Sequence, residues 1–304
     1  MRLQLIAALA VLVIIASCKK DEEPAPTPAG PTGPQLVLKF KFDSTQMRLD
    51  ELGQPEPNLP AGHAAQNPHF NKMSAHYVEF APTAWTLPGQ GAVVYHAPET
   101  TAGGANAINF SQSVLAGEGG TFLSVPLSQL PAGTYPWIRV SLGYQNYDID
   151  FRYTDLQFGT GTYDMQGTVA SFIGFNTYIG TFMINEQSLT VNDDRAQGFW
   201  AFEVIDPLVP TAPISGQSAG VTTVPNPLFA SSPIPSNSCL VTGAFAQPLV
   251  ITGNETADVV ITVSLCTNNS FEWNDNGDGF YEPGPPANDV VVDMGVRGLI
   301  PTVQ

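Results

Sequence analysis

The chain has 304 residues and a formal net charge of −16, from 11 basic and 27 acidic residues. A surface this acidic repels a phosphate backbone, which excludes nucleic acid as a natural partner. Hydrophobic residues make up 43% of the chain and charged residues only 12%, a balance that excludes disorder over most of its length and supplies a large apolar core.

The chain begins with an apolar leader. Arg2 precedes an unbroken apolar run, Leu5 to Ala16, which is too short to cross a bilayer of about 30 Å as a helix but has the length of a signal-peptide core. The run ends in Ile15-Ala16-Ser17-Cys18, which resembles the bacterial lipobox. The resemblance implies a lipoprotein signal peptide over residues 1–17 and lipid attachment at Cys18.

Residues 18–35 have the composition of an acidic and Pro-rich tether. Lys19-Lys20-Asp21-Glu22-Glu23 resembles the signal that directs some lipoproteins of Gram-negative bacteria to the outer face of the outer membrane, although a solvated charge run has the same composition. Pro24 to Pro34 favours polyproline II. We therefore predict a protein held to the outer membrane by its lipid and facing the cell exterior.

Beyond the tether, hydrophobic residues recur with the period of β-strands. In Leu36 to Phe42 every second residue is apolar, which is typical of a half-buried strand. Further strands are predicted at Met73–Phe80, Ala92–His96, Thr121–Leu127, Ile138–Gly143, Ile149–Tyr153, Ser171–Phe182, Gly198–Ile205, Cys239–Phe245, Asp258–Cys266, Val290–Met294 and Val296–Ile300. No window has a helical period with caps, so the predicted fold is all-β, an antiparallel β-sandwich of the immunoglobulin-like kind.

Two stretches interrupt the strands. Residues 54–68 are rich in Pro and Asn and predict a long loop, and residues 207–237 are rich in Pro and Ser and predict either a loop or a linker. We expect residues 36–206 to form the body of the sandwich and residues 238–304 to complete it. This pattern is compatible with one domain or with two.

Several of these segments together resemble the MbnP-like family of bacterial β-sandwich proteins, some of which bind copper. The segments are Leu36–Phe42, Met73–Phe80, Leu130–Gly143, Gly198–Trp200 and Val259–Phe271. The resemblance implies the sandwich architecture. The copper-binding members carry a histidine pair near the first strand, where this chain has Phe40-Lys41-Phe42-Asp43-Ser44, and that difference argues against copper as a cofactor.

The four histidines all lie between positions 63 and 96. Imidazole is the commonest protein ligand of copper and zinc, so this clustering makes His69 and His76 the candidate copper ligands. The alternative is that the histidines are surface or structural side chains, because their spacing is not a ligand signature.

The stretch Asn274 to Glu282 matches the start of a calcium loop. Oxygen ligands at the first, third, fifth, seventh and ninth positions of such a loop would come from Asn274, Asn276, Asp278, Phe280 and Glu282. Pro285 stands where a bidentate glutamate is expected, so the predicted calcium affinity is low. A glycine-rich turn, in which Asn and Asp side chains bond their own backbone, is the alternative.

Cys239 and Cys266 are the cysteines left after the one at the lipobox. In an exported chain two such cysteines predict a disulfide, and two buried thiols are the alternative.

No motif identifies catalytic residues, and we predict a non-enzymatic role in binding or in envelope structure, with a protein or a glycan as the unknown ligand. One alternative is a copper carrier of the MbnP-like type. Another is a carbohydrate-binding or carbohydrate-active protein that stacks sugars on Trp85, Trp137, Trp200 or Trp273.

Overall fold

A 23-residue strand, Gly133–Asp155, organises the fold. The computed structural model describes residues 33–156, 159, 161–205, 211–218, 226–231, 236 and 238–304. The strands in these residues are β1 Gln35–Asp43, β2 His63–Gln66, β3 His69–Ala81, β4 Ala92–His96, β5 Glu99–Thr100, β6 Ala107–Asn109, β7 Thr121–Pro126, β8 Gly133–Asp155, β9 Gly161–Phe172, β10 Asn176–Met183, β11 Ser188–Ala196, β12 Phe199–Val204, β13 Ile214–Gln217, β14 Cys239–Ile251, β15 Val259–Cys266, β16 Phe271–Asn274, β17 Val290–Met294 and β18 Leu299–Val303. Short 3₁₀ helices span Phe110–Gln112, Leu127–Gln129 and Phe229–Ser231.

The strands form four sheets. The largest has seven strands, in the order β13-β12-β9-β8-β3-β4, with β14 also paired to β8. Two four-stranded sheets have the orders β18-β15-β1-β7 and β11-β10-β6-β5, and a three-stranded sheet has the order β17-β16-β2. Most pairs are antiparallel, but β1 runs parallel to β15 and β6 runs parallel to β10.

Strand β8 changes neighbours along its length. Its first half pairs with β14, its second half pairs with β9, and β3 lies along the other edge over residues 137–148. Ten consecutive residues, 138–147, are buried, so this part of the strand has protein on both faces.

Apolar residues from several sheets form two main cores. The larger core joins the sheet containing β1 and β15 to the largest sheet, with Leu38 and Val263 from the first and Val140 and Val241 from the second. The smaller core joins the largest sheet to the sheet containing β10, through residues such as Phe172 and Phe182. The predicted all-β, sandwich-like fold is confirmed.

The structure also differs from the predicted elements in detail. The stretch predicted as one long loop, residues 54–68, contains strand β2, which pairs with β16. The predicted loop or linker at 207–237 contains β13, which pairs with β12. The signal peptide, Cys18 and the Pro-rich tether lie outside the described residues. Within the described residues, no helix combines the length and the hydropathy needed to span a bilayer.

A group of buried charges, which we name the Glu272 cluster, joins four separate segments. It consists of Arg48, His63, Glu272, Asp293 and Arg297. The Glu272 carboxylate accepts hydrogen bonds from Arg48 Nη2 at 3.1 Å and Arg297 Nη2 at 3.0 Å, and its other oxygen lies 2.5 Å from His63 Nδ1. Arg297 also pairs with Asp293. Arg48 and Glu272 each expose only 3% of their side chains, so these charges are stabilised by one another rather than by water.

Asp293 makes the free energy of unfolding depend on pH, and Asp293→Asn is expected to remove this dependence. Burial raises the pKa of Asp293 to about 7; the Arg297 guanidinium opposes the shift and Glu272 adds to it. The folded protein thus keeps a proton that the unfolded chain releases near the ordinary pKa of 3.8, so the free energy of unfolding falls as the pH rises from about 4 to about 7. Asparagine binds no such proton, and urea unfolding across this range is expected to give a flatter profile.

Asp278→Asn is the matched control for this measurement, because Asp278 is exposed. It is expected to leave the slope of the wild-type profile unchanged. An Asp293→Asn variant with the wild-type slope contradicts the assignment.

Candidate metal centre

Three side chains that ligate metals meet between the largest sheet and the sheet containing β5. Glu99 Oε1 lies 2.9 Å from His76 Nε2 and 3.1 Å from His96 Nε2, and the two Nε2 atoms are 3.2 Å apart. Among the described residues, this is the one group of three or more His, Cys, Asp or Glu side chains whose ligand atoms all lie within 4.8 Å of one another. We refer to it as the His76 site.

Strand pairing positions the two histidines. Strands β3 and β4 are antiparallel, with Tyr77 opposite His96, and the N–H of Ala97 donates to the carbonyl of His76 at 2.7 Å. The pairing of β3 with β8 shifts register between Ala75 and Tyr77, so His76 lies at a β-bulge. Bulges redirect side chains and are common beside functional sites.

A short corner brings in the carboxylate. His96 ends β4, Glu99 begins β5, and only Ala97 and Pro98 lie between them. Asn106 Nδ2 donates to Glu99 Oε2 at 2.6 Å, which leaves Oε1 to face the two imidazoles. Asn176 Nδ2 in turn donates to the Asn106 carbonyl at 3.1 Å. Such outer hydrogen bonds fix the orientation of ligands in metal sites.

The site is buried on one side and open on the other. His76 exposes 2% of its side chain, Glu99 25% and His96 51%. The ring of Phe175, with its centroid 5.2 Å from that of His76, covers part of the buried side. A ligand or an ion can therefore reach the cluster past His96.

The electrostatics favour the protonation states that bind metal. Burial lowers the pKa of His76, and the neighbouring His96 adds to this effect, so the His76 imidazole is neutral at physiological pH. For Glu99, burial raises the pKa, but the hydrogen bonds from Asn106 and His76 outweigh it and the net shift is downward. A neutral imidazole and an ionised carboxylate are the forms that coordinate a cation.

The structure does not bring the predicted copper pair together. His69 begins β3, exposes 81% of its side chain and lies 3.8 Å from Asp148. Six residues of extended strand lie between it and His76, a distance of roughly 20 Å. His76 does belong to a group of side chains that could ligate a metal, but its partners are His96 and Glu99. Sequence reasoning missed both partners, although His96-Ala97-Pro98-Glu99 has a local spacing that could have identified them.

The predicted calcium loop is largely bonded to itself. Asp275 accepts hydrogen bonds from the N–H groups of Gly277 and Gly279, Asn276 accepts from the N–H of Asp278, and Asp278 accepts from that of Phe280. Asn274 ends β16, in the pairing with β2 and β17. This arrangement is the glycine-rich turn that the sequence left open, and calcium at Asn274, Asn276, Asp278, Phe280 and Glu282 stays a prediction.

The predicted disulfide between Cys239 and Cys266 is not formed. Cys239 begins β14 opposite Leu142, whereas Cys266 ends β15 in another sheet. The Cys266 thiol donates instead to the carbonyl of Gln46 at 3.3 Å, and burial raises its pKa. Both thiols are buried, and the sheet topology directs them to different neighbours.

Comparisons of the chain with protein-family models, with curated proteins and with solved structures found no match. The resemblance to the MbnP-like family therefore stays a prediction.

Proposed function

We propose that this protein binds a divalent transition metal, Cu²⁺ or Zn²⁺, at His76, His96 and Glu99. The observation that carries the proposal is the triangle of ligand atoms, with sides of 2.9, 3.1 and 3.2 Å. Two ligands bound at about 2.0–2.1 Å in a tetrahedral site lie about 3.3 Å apart. The observed separations are slightly shorter than this, so the three ligand atoms need to move only slightly apart to admit a cation, with almost no movement of the backbone.

The kinds of ligand atom favour particular metals. Two imidazoles and one carboxylate suit Zn²⁺ and Cu²⁺, whereas Ca²⁺ prefers a larger set of oxygens and Cu⁺ prefers sulfur. The usual order of stability places Cu²⁺ above Zn²⁺ at such a site. Three protein ligands leave a coordination position for water or for an exchanging ligand. This is compatible with reversible binding of the metal, which we propose as the role in preference to catalysis.

We further propose that the metal is bound at the cell envelope, by a protein anchored through lipid at Cys18. The support is the apolar leader that ends in Ile15-Ala16-Ser17-Cys18. Mass spectrometry of the protein from native membranes tests the anchor, and an unmodified Cys18 overturns this localisation.

Metal titration of the untagged protein tests the site. Wild-type protein is expected to bind one equivalent of Cu²⁺ or Zn²⁺, and His96→Ala and Glu99→Gln are each expected to weaken binding by at least about 100-fold, beyond the loss typical of outer-shell changes. His96 and Glu99 are partly exposed, so these changes leave the fold in place. Substitution with Co²⁺ and its visible spectrum report the coordination geometry independently.

His69→Ala is the matched control, because it removes an exposed imidazole from the same strand that carries His76. It is expected to keep the wild-type affinity. The proposal fails if His69→Ala weakens binding as much as His96→Ala does, or if Ca²⁺ alone raises the melting temperature and no transition metal is retained.

A further inference from the structure

A cavity that shares no residue with the His76 site lies beside the β8–β9 hairpin. It is a cleft of about 440 Å³ between the outer half of this hairpin and residues 279–281, and β2 and β16 contribute to its wall. Its volume is within the range of small-molecule pockets, about 300–1,000 Å³. The proposed metal function leaves it unused.

Paired polar side chains form one wall of the cleft. Asp150 lies opposite Gln166 and Arg152 lies opposite Asp164 in the β8–β9 register. Gln166 Nε2 donates to Asp150 Oδ1 at 2.8 Å. Arg152 donates to Asp164 from Nε at 2.7 Å and from Nη2 at 3.1 Å, so the guanidinium and the carboxylate are held in one plane. These planar groups are already oriented before a ligand arrives.

Aromatic side chains also line the cleft, next to the polar ones. The Arg152 guanidinium carbon lies 3.4 Å from the centroid of Phe280, which remains 44% exposed. Trp273 also lines the cleft, and its indole N–H is buried without an acceptor among the described residues. An N–H donor of this kind is costly to bury and is satisfied by a polar ligand atom or by water.

The charges indicate the class of ligand. The cleft has two aspartates and one arginine, and Asp278 and Glu282 are close enough to Arg152 to raise the pKa of its guanidinium after the larger effect of Asp164. With the net charge of −16 on the whole chain, this surface repels anions. A neutral ligand that has both apolar C–H faces and vicinal hydroxyl groups fits both the polar and the aromatic side chains of the lining.

We propose that this cleft binds a neutral saccharide. The hydroxyl groups are bonded by Asp150, Gln166 and Arg152, and an apolar face of the sugar ring packs against the part of the Phe280 ring that Arg152 leaves exposed. The proposal does not depend on the metal site, since the two share no residue.

Glycan binding by the full-length protein, purified in a detergent without a sugar headgroup, tests the proposal. The probes are arrayed neutral gluco-, manno-, galacto- and xylo-oligosaccharides beside sialylated, sulfated and uronate-containing glycans, followed by calorimetry with the soluble glycans that bind. Arg152→Ala and Phe280→Ala are each expected to weaken binding of a neutral glycan by about ten-fold or more, as loss of a charged hydrogen bond or of the packing surface predicts.

Arg195→Ala is the matched control. Arg195 also pairs with an exposed aspartate, Asp193, and lies 5.5 Å from the centroid of an aromatic ring, that of Phe199, but it does not line the cleft. It is expected to bind glycans as the wild type does. The proposal is overturned if no neutral glycan binds at millimolar concentration, if only anionic glycans bind, or if Arg195→Ala loses binding together with Arg152→Ala and Phe280→Ala.

Discussion

Replacing Glu272 with glutamine is expected to lower the free energy of unfolding by about 3–5 kcal/mol. The Glu272 carboxylate is the shared acceptor of Arg48 and Arg297 and also contacts His63. A neutral amide removes the charge that compensates two buried guanidinium groups, and it directs an N–H group towards one of these donors. Asp293 alone then faces both arginines.

The loss is expected to be global, because the Glu272 cluster joins elements far apart in the sequence. Arg48 follows β1, His63 begins β2 and Glu272 lies on β16, so disruption of the cluster weakens the contacts between the early and the late strands of the sequence. Thermal unfolding is expected to show a midpoint lowered by about 10 °C, given about 2–4 °C per kcal/mol for a domain of this size.

Glu186→Gln is the control for this change, because Glu186 is exposed and the chemistry of the substitution is the same. It is expected to alter stability by less than about 0.5 kcal/mol. A loss below about 1 kcal/mol for Glu272→Gln would show that water reaches the cluster and screens its charges.

Some strands were predictable from local sequence alone, either because apolar residues alternate or because a short apolar run has clear ends. Val290–Met294 and Ala92–His96 were predicted with the bounds that the structure has, and Leu36–Phe42 was predicted to within one residue at each end. Each of these strands has clear flanking signals or one face directed to the core. Leu36–Phe42 shows the period of two that a half-buried strand requires, whereas the other two are short apolar runs.

Strand β8 was not predictable as one element. Residues 138–147 are buried on both faces, so polar residues such as Arg139 and Gln145 lie inside the protein and the alternation is lost. The strand predicted at Ile138–Gly143 was therefore ended at the glycine, whereas β8 continues to Asp155. The reverse error occurred at Ser171–Phe182, which the structure divides into β9 and β10 because the N–H groups of Ile173 and Gly174 turn to the Gly143 carbonyl.

The candidate metal centre was only partly predictable for a related reason. The histidine-rich region was found, but the choice among the four histidines depends on the register of β3 against β4 and on a bulge at His76. A slip of one residue would direct a different side chain to the site. Glu99 lies on a two-residue strand, which is too short to have a detectable period.

Breaking the buried ion pair between Glu79 and Arg139 is expected to lower the free energy of unfolding as much as Glu272→Gln does. The loss is expected to depend on which of the two residues is replaced. The two residues lie opposite each other on β3 and β8, and each exposes 1% of its side chain. Arg139 Nη2 donates to Glu79 Oε2 at 3.0 Å. Glu79→Leu and Arg139→Met are each expected to cost about 3–5 kcal/mol, because each leaves one buried charge without its partner.

The asymmetry follows from the other partners of each residue. Glu79 also accepts hydrogen bonds from the N–H groups of Gly89 and Gly91, at 3.1 and 2.5 Å, whereas Arg139 has the Thr86 carbonyl. A carboxylate that has lost Arg139 keeps two N–H donors, but a guanidinium that has lost Glu79 keeps one carbonyl. Glu79→Leu is therefore expected to be the more destabilising change.

A double variant distinguishes an unpaired charge from lost packing. Adding Arg139→Met to Glu79→Leu removes the stranded guanidinium, so the double variant is expected to be at least as stable as Glu79→Leu alone. Arg195→Met, in a more exposed ion pair, is the control and is expected to cost less than about 1 kcal/mol.

Amide hydrogen exchange gives a local readout: Gly89 and Gly91 are expected to lose protection in Glu79→Leu and to keep it in Arg139→Met, because only the first change removes their acceptor. Equal protection in the two variants, or a double variant less stable than either single variant, would mean that the segment around Gly89 is held by packing and not by the buried carboxylate.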